Sequence, residues 1–385
     1  MRGHRPAPIA HPAPLSSPPR PEAPQPGDRI LTPEAFTTHL LFLLALAGLS
    51  AGLVRAMIGV GVMDLPDAGR PDARKAHARP VPKGGGVGVV AAFLVGTLVL
   101  YRYAEFSRIA DPSFRSVILA AAGIAAVAFL DDIRDWPFAV KLGAQVLAAA
   151  VAVGSGVVVE GLNLPWAGPV TLGWAAAPLT LAWLLFATNA VNFMDGLNGL
   201  ASGGCALACL VLAAIAAAYG GWFVYFASLL LAAGLAGFLP FNFPRARIFM
   251  GDVGSQFCGF VLAVLGVAAG RLQGVDLSVL LVPMLLFGML FDVAFTLIRR
   301  LLAGDRVTQA HRGHLYQVAH RAGVPAVKVT LVHWGFVAWG GVCCAAFLAA
   351  DGGWKPLAVL LVLPPQLAWA AWVAGRARQA GLGRW

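Results

Sequence analysis

Asp131, Asp132, Asp195, Asp252, Asp292, His311 and His314 stand out in a chain of 385 residues that is 59% hydrophobic and only 12% charged. Each lies at or near the end of a membrane-length apolar segment. Carboxylates that converge at a membrane surface can hold a divalent cation and, through it, a phosphate.

Five stretches carry the chemistry. FLDDIRD (129–135) ends an apolar segment with Asp131 and Asp132. Neighbouring side chains on a helix diverge by roughly 100°, so one is free to face a site while the other pairs with Arg134 or supports it. A plain helix-end acidic loop is the bland alternative. The spacing to Asp135 also matches the DDxxD of prenyl-diphosphate chemistry, but a second such motif is absent.

NAVNFMDGLNGLASG (189–203) interrupts hydrophobic sequence where a short loop turns back into the membrane. Asn192, Asp195 and Asn198 recur every third residue, which would stack their polar groups on one side of a helical turn. Gly196 and Gly199 let backbone approach a planar ligand. A polar hairpin with glycines for packing is the plainer reading.

FNFPRARIFMGDVGSQFCG (241–259) sets Asp252 between Gly251 and Gly254, with Ser255 opening the next apolar segment. A carboxylate beside the free N–H groups of a helix start suits a metal-bridged phosphate, and equally a simple cap. Asn242, Arg245 and Arg247 add donors for an anion or a base. Further on, Asp292 precedes Arg299 by two helical turns, which fits an ion pair, a structural hydrogen bond or a ligand role. His311, Arg312 and His314 read as an anion clamp more than a metal site, because Arg repels a cation; a solvated basic loop is the alternative. In ARKAHARPVPKGGGVGVV (73–90), Lys75 and His77 are candidates for substrate binding. It is not a Walker loop, since the Lys precedes the glycines and no Ser or Thr follows. Positive-inside anchoring explains its charges but not Pro80, Pro82 and the triple glycine.

The elements that must position these residues are helices in a membrane. A mean hydropathy of +0.76 and long apolar runs without strand alternation define an all-α polytopic membrane protein. About eleven transmembrane helices are expected: 36–54, 84–101, 115–131, 138–158, 171–189, 199–218, 221–241, 256–271, 277–298, 326–349 and 356–374. Residues 1–35 hold ten of the 26 prolines and read as a disordered extension. Residues 36–374 form the transmembrane catalytic domain and 375–385 a basic cytoplasmic tail. Nothing at Met1 has the basic-then-apolar form of a cleaved signal peptide.

Alternation then puts every acidic stretch on one face. Its loops hold seventeen Lys or Arg residues against five in the opposite loops. The positive-inside rule makes that face cytoplasmic and leaves the N-terminus outside, although the tail carries arginines of its own. The same bias accounts for the net charge of +10, so no nucleic-acid partner is expected. Five cysteines without a CxxC pair suggest neither zinc nor a disulfide frame.

Taken together and in order, from about residue 74 to 320, the stretches resemble the polyprenyl-phosphate N-acetylhexosamine-1-phosphate transferase family, the MraY and WecA type of membrane enzyme. The residues that carry the resemblance are the basic His and Pro loop before Gly-Gly, the DD pair, NxxNxxDGLxGL, FMGDxGS and the late His loop. The resemblance implies a cytoplasmic active site in a bacterial inner membrane, using Mg2+ with Mn2+ able to stand in. It implies transfer of an N-acetylhexosamine 1-phosphate from a UDP-N-acetylhexosamine to undecaprenyl phosphate or a related polyprenyl phosphate, releasing UMP.

By resemblance, Asp131 and Asp132 match the essential pair and Asp252 the magnesium ligand, with Asp195 a second metal candidate. Asp195, Gly196, Leu197, Asn242 and Phe249 match positions that hold the uridine end. Lys75, His77, Asn192, Asn198, His311, Arg312 and His314 complete the expected substrate site. Asp252 is expected to hold the metal across the pyrophosphate, Asp131 or Asp132 to orient or deprotonate the acceptor, and the His loop to neutralise charge. Two positions depart from the family pattern. Asn198 stands where a second Asp is frequent, and HRGHLYQ keeps His314 but shows Tyr316 and Gln317 where further histidines are usual. That variant points to the branch initiating O-antigen or related surface polysaccharides, and away from the phospho-N-acetylmuramoyl-pentapeptide transferase of peptidoglycan synthesis. The sequence does not fix which sugar is used, and Tyr316 and Gln317 are the first positions to vary in asking. A homodimer is compatible with the sequence, but no helix face marks an interface. An ion-coupled secondary transporter, the competing class, calls for carboxylates at span centres and an internal repeat; the acidic residues cluster at span ends, and no convincing repeat is found.

Overall fold

The computed structural model describes residues 33–64, 80–103, 112–134, 136–164, 168–271, 275, 277–306, 311–383 and 385. The chain runs α1 (Pro33–Val60), β1 (Met63–Asp64), β2 (Val81–Pro82), α2 (Gly86–Tyr103), α3 (Pro112–Arg134), α4 (Phe138–Gly154), β3 (Gly161–Leu164), β4 (Gly168–Thr171), α5 (Ala176–Phe193), α6 (Leu200–Ala218), α7 (Trp222–Asn242), α8 (Gly251–Ala269), α9 (Leu281–Leu285), α10 (Phe287–Leu302), α11 (Leu315–Arg321), α12 (Ala326–Ala349), α13 (Lys355–Leu360) and α14 (Leu363–Gln379). Among the described residues the strands form two short antiparallel pairs, β1 with β2 and β3 with β4, and the other long elements are helices. The protein is an all-α polytopic membrane protein.

Among the described residues, eight helical segments are long and apolar enough to cross a bilayer, and α2 and α4 are shorter apolar helices. The expected span 277–298 is broken: α9 stops at Leu285 and α10 restarts at Phe287. The segment over 356–374 is divided in the same way between α13 and α14. Between the expected spans 138–158 and 171–189, β3 and β4 pair antiparallel, with Gly161 opposite Thr171.

The core is built around α8. Every residue from Val253 to Ala269 is buried, as befits a helix that is apolar all round and therefore has no face to give to water or lipid. Helices α2, α3, α5, α6, α7 and α9 pack against it. Small residues permit this crowding, because lipid and protein are equally apolar and close backbone contact is what favours association. A Cβ on Gly86 of α2 would collide with the backbone of Gly254, and one on Gly259 would press on Ala187 and Thr188 of α5. α8 also starts earlier than its hydropathy indicates. It begins at Gly251, whose φ of +75° suits a residue without a side chain, so Asp252 lies inside its first turn and not in the preceding loop.

Candidate active site

The two aspartates at the end of α3 diverge as helix geometry requires. Asp131 Oδ1 accepts the Trp136 N–H at 2.8 Å and Oδ2 lies 2.9 Å from Lys141 Nζ. Its support is therefore Lys141 on the first turn of α4, while Arg134 sits over the Trp136 ring at 5.9 Å. Asp132 turns the other way. Its Oδ2 accepts the Val253 N–H at 3.4 Å, at the N-terminus of α8, and Oδ1 lies 3.8 Å from Lys83 Nζ. Both are buried.

Lys83 reaches that point because of the glycines that follow it. Phe249 N–H donates to Pro82 O, Gly85 N–H to Phe249 O at 2.9 Å and Gly86 N–H to Met250 O at 2.8 Å. A Cβ on Gly85 would enter the Phe238 ring. The triple glycine thus locks the Lys83 loop onto the start of α8.

Asp252 is the most open of these carboxylates, with 27% of its side chain exposed. Oδ1 accepts from Asn192 Nδ2 at 2.9 Å, and Oδ2 accepts from Lys141 Nζ and Gln256 Nε2, each at 3.2 Å. Asn192 also donates to Ser255 Oγ at 2.9 Å. Asp195 follows in the turn after α5, half-buried. Burial, then the Asp252 carboxylate, then that of Asp132, push Asp195 well above the usual carboxylate range. The carboxylates of Asp132, Asp195 and Asp252 therefore share one electrostatic site, with Lys83 and Lys141 on its border.

The turn does not continue the helix as the spacing of three suggested. α5 ends at Phe193, and Asn198 faces away from the carboxylates, donating to Pro244 O at 3.2 Å. Asn242 is buried with its amide committed: Oδ1 accepts the Gly199 N–H at 2.7 Å and Nδ2 donates to Ile248 O at 3.0 Å. It ties the 194–199 turn to the 243–250 loop. Leu197 is buried beneath that turn, and Phe249 holds the Lys83 loop through its backbone. Lys75 and His77 lie outside the described residues.

Asp292 proves to be a structural anchor. Its carboxylate accepts the Leu315 N–H at 2.8 Å and the Tyr316 N–H at 2.9 Å, so it caps α11 from a distance, and it lies 3.3 Å from His314 Nδ1. Of the three roles left open for Asp292, the hydrogen-bonded one is observed; Arg299 donates to Gly313 O at 3.0 Å and covers the Trp385 ring at 4.2 Å. The rings of His311 and His314 are 4.9 Å apart, and His314 stacks on Tyr316. Arg312 is half-buried in the same loop.

Tyr316 and Gln317 are committed to contacts within the protein. The Tyr316 hydroxyl donates to Phe193 O at 2.9 Å, and a Cβ on Gly196 would collide with that hydroxyl. Gln317 Oε1 accepts the His314 N–H as part of the α11 cap. Tyr316 is a post under the Asp195 turn, and Gln317 shapes the His loop. Lys141 is not in any of the polar stretches, because it falls inside the apolar segment 138–158. A lone lysine in such a segment is itself the signal, since an intramembrane charge needs a partner.

An acidic site framed by lysines at one end of a membrane bundle defines a membrane enzyme for anionic substrates. The profile described as Glycosyl transferase family 4 matches residues 114–270, which takes in α3 to α8. A probable undecaprenyl-phosphate N-acetylglucosaminyl 1-phosphate transferase of Bacillus subtilis (strain 168) is 30% identical over 298 residues, 75% of this chain and 79% of that one. A decaprenyl-phosphate N-acetylglucosaminephosphotransferase of Mycobacterium leprae (strain TN) is 30% identical over 350 residues, 83% of this chain and 88% of that one. A phospho-N-acetylmuramoyl-pentapeptide-transferase of Lactobacillus johnsonii is 32% identical over 232 residues, 55% and 70% respectively. The chain belongs to glycosyl transferase family 4, as a glycosyl-1-phosphate transferase of the polyprenyl-phosphate type.

Proposed function

We propose that this protein transfers N-acetylglucosamine 1-phosphate, or a closely related N-acetylhexosamine 1-phosphate, from its UDP-sugar to undecaprenyl phosphate, releasing UMP. The observation that carries this reading is the shared site of Asp132, Asp195 and Asp252 with Lys83 and Lys141 on its border. The names of the relatives matched over three quarters or more of the chain supply the sugar and the lipid class. The muramoyl-pentapeptide relative matches over only 55% of the chain, which favours the simpler sugar.

Both substrates are anions, and two unit charges 4 Å apart repel by about 4 kcal/mol at an effective dielectric of 20. Asp252 and Asp195 would hold Mg2+. The donor set fits: carboxylate oxygens are hard ligands, and the Asp252 and Asp132 carboxylates act on Asp195 in the direction that a bound cation would offset. Among the described residues no three His, Cys, Asp or Glu side chains are grouped to chelate one ion, so water and substrate phosphate would have to supply the remaining ligands. When bound, the metal would neutralise the pyrophosphate and polarise its bridging bond.

An oxygen of the lipid phosphate attacks the sugar-linked phosphorus in line, forming a new P–O–P bond. The old P–O–P bond breaks and its bridging oxygen leaves with UMP. A phosphate monoester has a second pKa near 6, so the acceptor is mostly a dianion at pH 7. The charges of reactants and products then balance without a proton, and no strong base is called for. Lys141 would draw the donor phosphates to the site, Asp131 would hold Lys141 in place, and Asp132 would orient the acceptor through Lys83. His311, Arg312 and His314 would bind the acceptor phosphate at the rim. The positive-inside bias supports a cytoplasmic site in an inner membrane, with the product feeding assembly of an envelope glycan.

The test is an assay on purified protein with UDP-[14C]GlcNAc and undecaprenyl phosphate, scoring lipid-linked label and UMP with and without Mg2+. Equal amounts of both products in Mg2+, and neither in EDTA, are expected. Label without UMP, or UDP as the nucleotide product, would overturn the reading.

A further inference from the structure

Three amides line up from the body of the bundle to Asp252. Asn189 Nδ2 donates to Gln145 Oε1 at 2.7 Å, Gln145 Nε2 to Gln256 Oε1 at 3.0 Å and Gln256 Nε2 to Asp252 Oδ2 at 3.2 Å. They come from α5, α4 and α8, and Gln145 and Gln256 are each only 3% exposed. Amides buried among apolar helices cost free energy unless they are hydrogen-bonded. Packing alone gives no reason to place two glutamines here.

The direction of the line is fixed at its far end. Asn189 Nδ2 also donates to the Leu185 carbonyl at 2.8 Å, a group that can only accept. Asn189 therefore turns its NH2 toward Gln145, which must meet it with oxygen and turn its own NH2 toward Gln256. Gln256 is constrained in the same way and is left presenting a donor to Asp252. Each bond polarises the next. A reversed Gln256 would set a carbonyl oxygen against the carboxylate. With Asn192 on the other oxygen, Asp252 is held at both ends.

We infer that Gln145 and Asn189 are positioning residues for the Asp252 carboxylate, acting through Gln256, and that this line of amides sets how Asp252 presents its oxygens to a divalent cation. The inference rests on Asp252 being a cation ligand, as proposed above. Its effect is one of orientation: neither residue touches substrate.

The experiment titrates purified, monodisperse variants with Mn2+ by electron paramagnetic resonance and measures Mg2+ activation in parallel. Gln145→Met keeps the length of the side chain and removes both of its bonds. Mn2+ binding is expected to weaken about tenfold, with Mg2+ half-saturation rising by a similar factor, while KM for the UDP-sugar at saturating Mg2+ stays unchanged. Gln145→Glu has the same size but as a carboxylate offers Gln256 no donor, and at a pH where it is ionised it is expected to be at least as impaired. Asn189→Ala, which adds no bulk, repeats the test if Gln145→Met does not fold. Asp252→Asn is the reference. If it binds Mn2+ like the wild type, the metal assignment fails. If it loses Mn2+ while folded Gln145→Glu and Asn189→Ala variants bind as the wild type does, the inference about the amide line is overturned.

Discussion

Lys141 donates to Asp252 across 3.2 Å, although 111 residues separate them in the chain, and the same ammonium lies 2.9 Å from Asp131. One cation thus joins the end of α3 to the start of α8. Its charge is positioned by the protein before any substrate arrives, which is the arrangement that stabilises developing negative charge without reorganisation.

Lys141→Met is expected to lower kcat/KM by about a hundredfold, the scale of losing one preorganised donor. Lys141→Arg is expected to recover little, because a planar guanidinium does not fit a point between two carboxylates that a compact ammonium occupies. Since Asp131 acts through Lys141, Asp131→Asn and Lys141→Met are expected to be far from additive in a double-mutant cycle. Additive losses would separate the two residues.

Asp195 binds its proton more tightly in the folded protein than the ordinary value of 3.8 allows. A raised folded pKa gives stability that is complete below the unfolded value and is lost as pH rises through the folded one. In EDTA, thermal stability is therefore expected to fall as pH rises above the ordinary carboxylate range. Asp195→Asn is expected to flatten that slope and to raise Tm at its alkaline end while abolishing transfer. Parallel melting curves for variant and wild type above that range would refute the shared-charge account of the site.

Gly196→Ala is expected to impair activity severely, because the new methyl group meets the Tyr316 hydroxyl. Tyr316→Phe removes that hydroxyl and leaves the Phe193 carbonyl without its donor, a loss of about 1–3 kcal/mol. The double variant is expected to be more active than Gly196→Ala alone. Tyr316→Phe is also expected to leave the preference between UDP-N-acetylglucosamine and UDP-N-acetylgalactosamine unchanged; an altered preference would make Tyr316 a reader of the sugar.

Gly86→Ala is expected to destabilise the folded protein by about 1–3 kcal/mol through overpacking. The collision is with the backbone of Gly254, which no rotamer change relieves. A denaturation midpoint equal to that of wild type would show that α2 and α8 are not held as closely as described.

Much of this protein was legible in its sequence because membrane helices announce themselves locally. Hydropathy located the apolar segments, and interruptions such as FLDDIRD, NFMDGLNG and FMGDVGS marked their polar ends. Helix order alone was enough to bring Asp131, Asp132, Asp195 and Asp252 to one end of a bundle. What periodicity missed was where helices stop: α5 ends at Phe193 and sends Asn198 to Pro244, and α8 begins early enough to take in Asp252. These boundaries depend on contacts with Asn242, Tyr316 and the Lys83 loop, all distant in sequence.

The sequence by itself determined the class of protein, its helices and the residue types able to handle phosphate, because each rests on composition and on motifs a few residues long. The tertiary structure decided the partners: Lys141 with Asp131 and Asp252, Asp292 with α11, and the amide line behind Asp252. Hydrogen bonds and ion pairs across a bundle are set by how helices rotate and slide on one another. In α8 that is fixed by close backbone contact at Gly254 and Gly259, which a one-dimensional pattern does not contain.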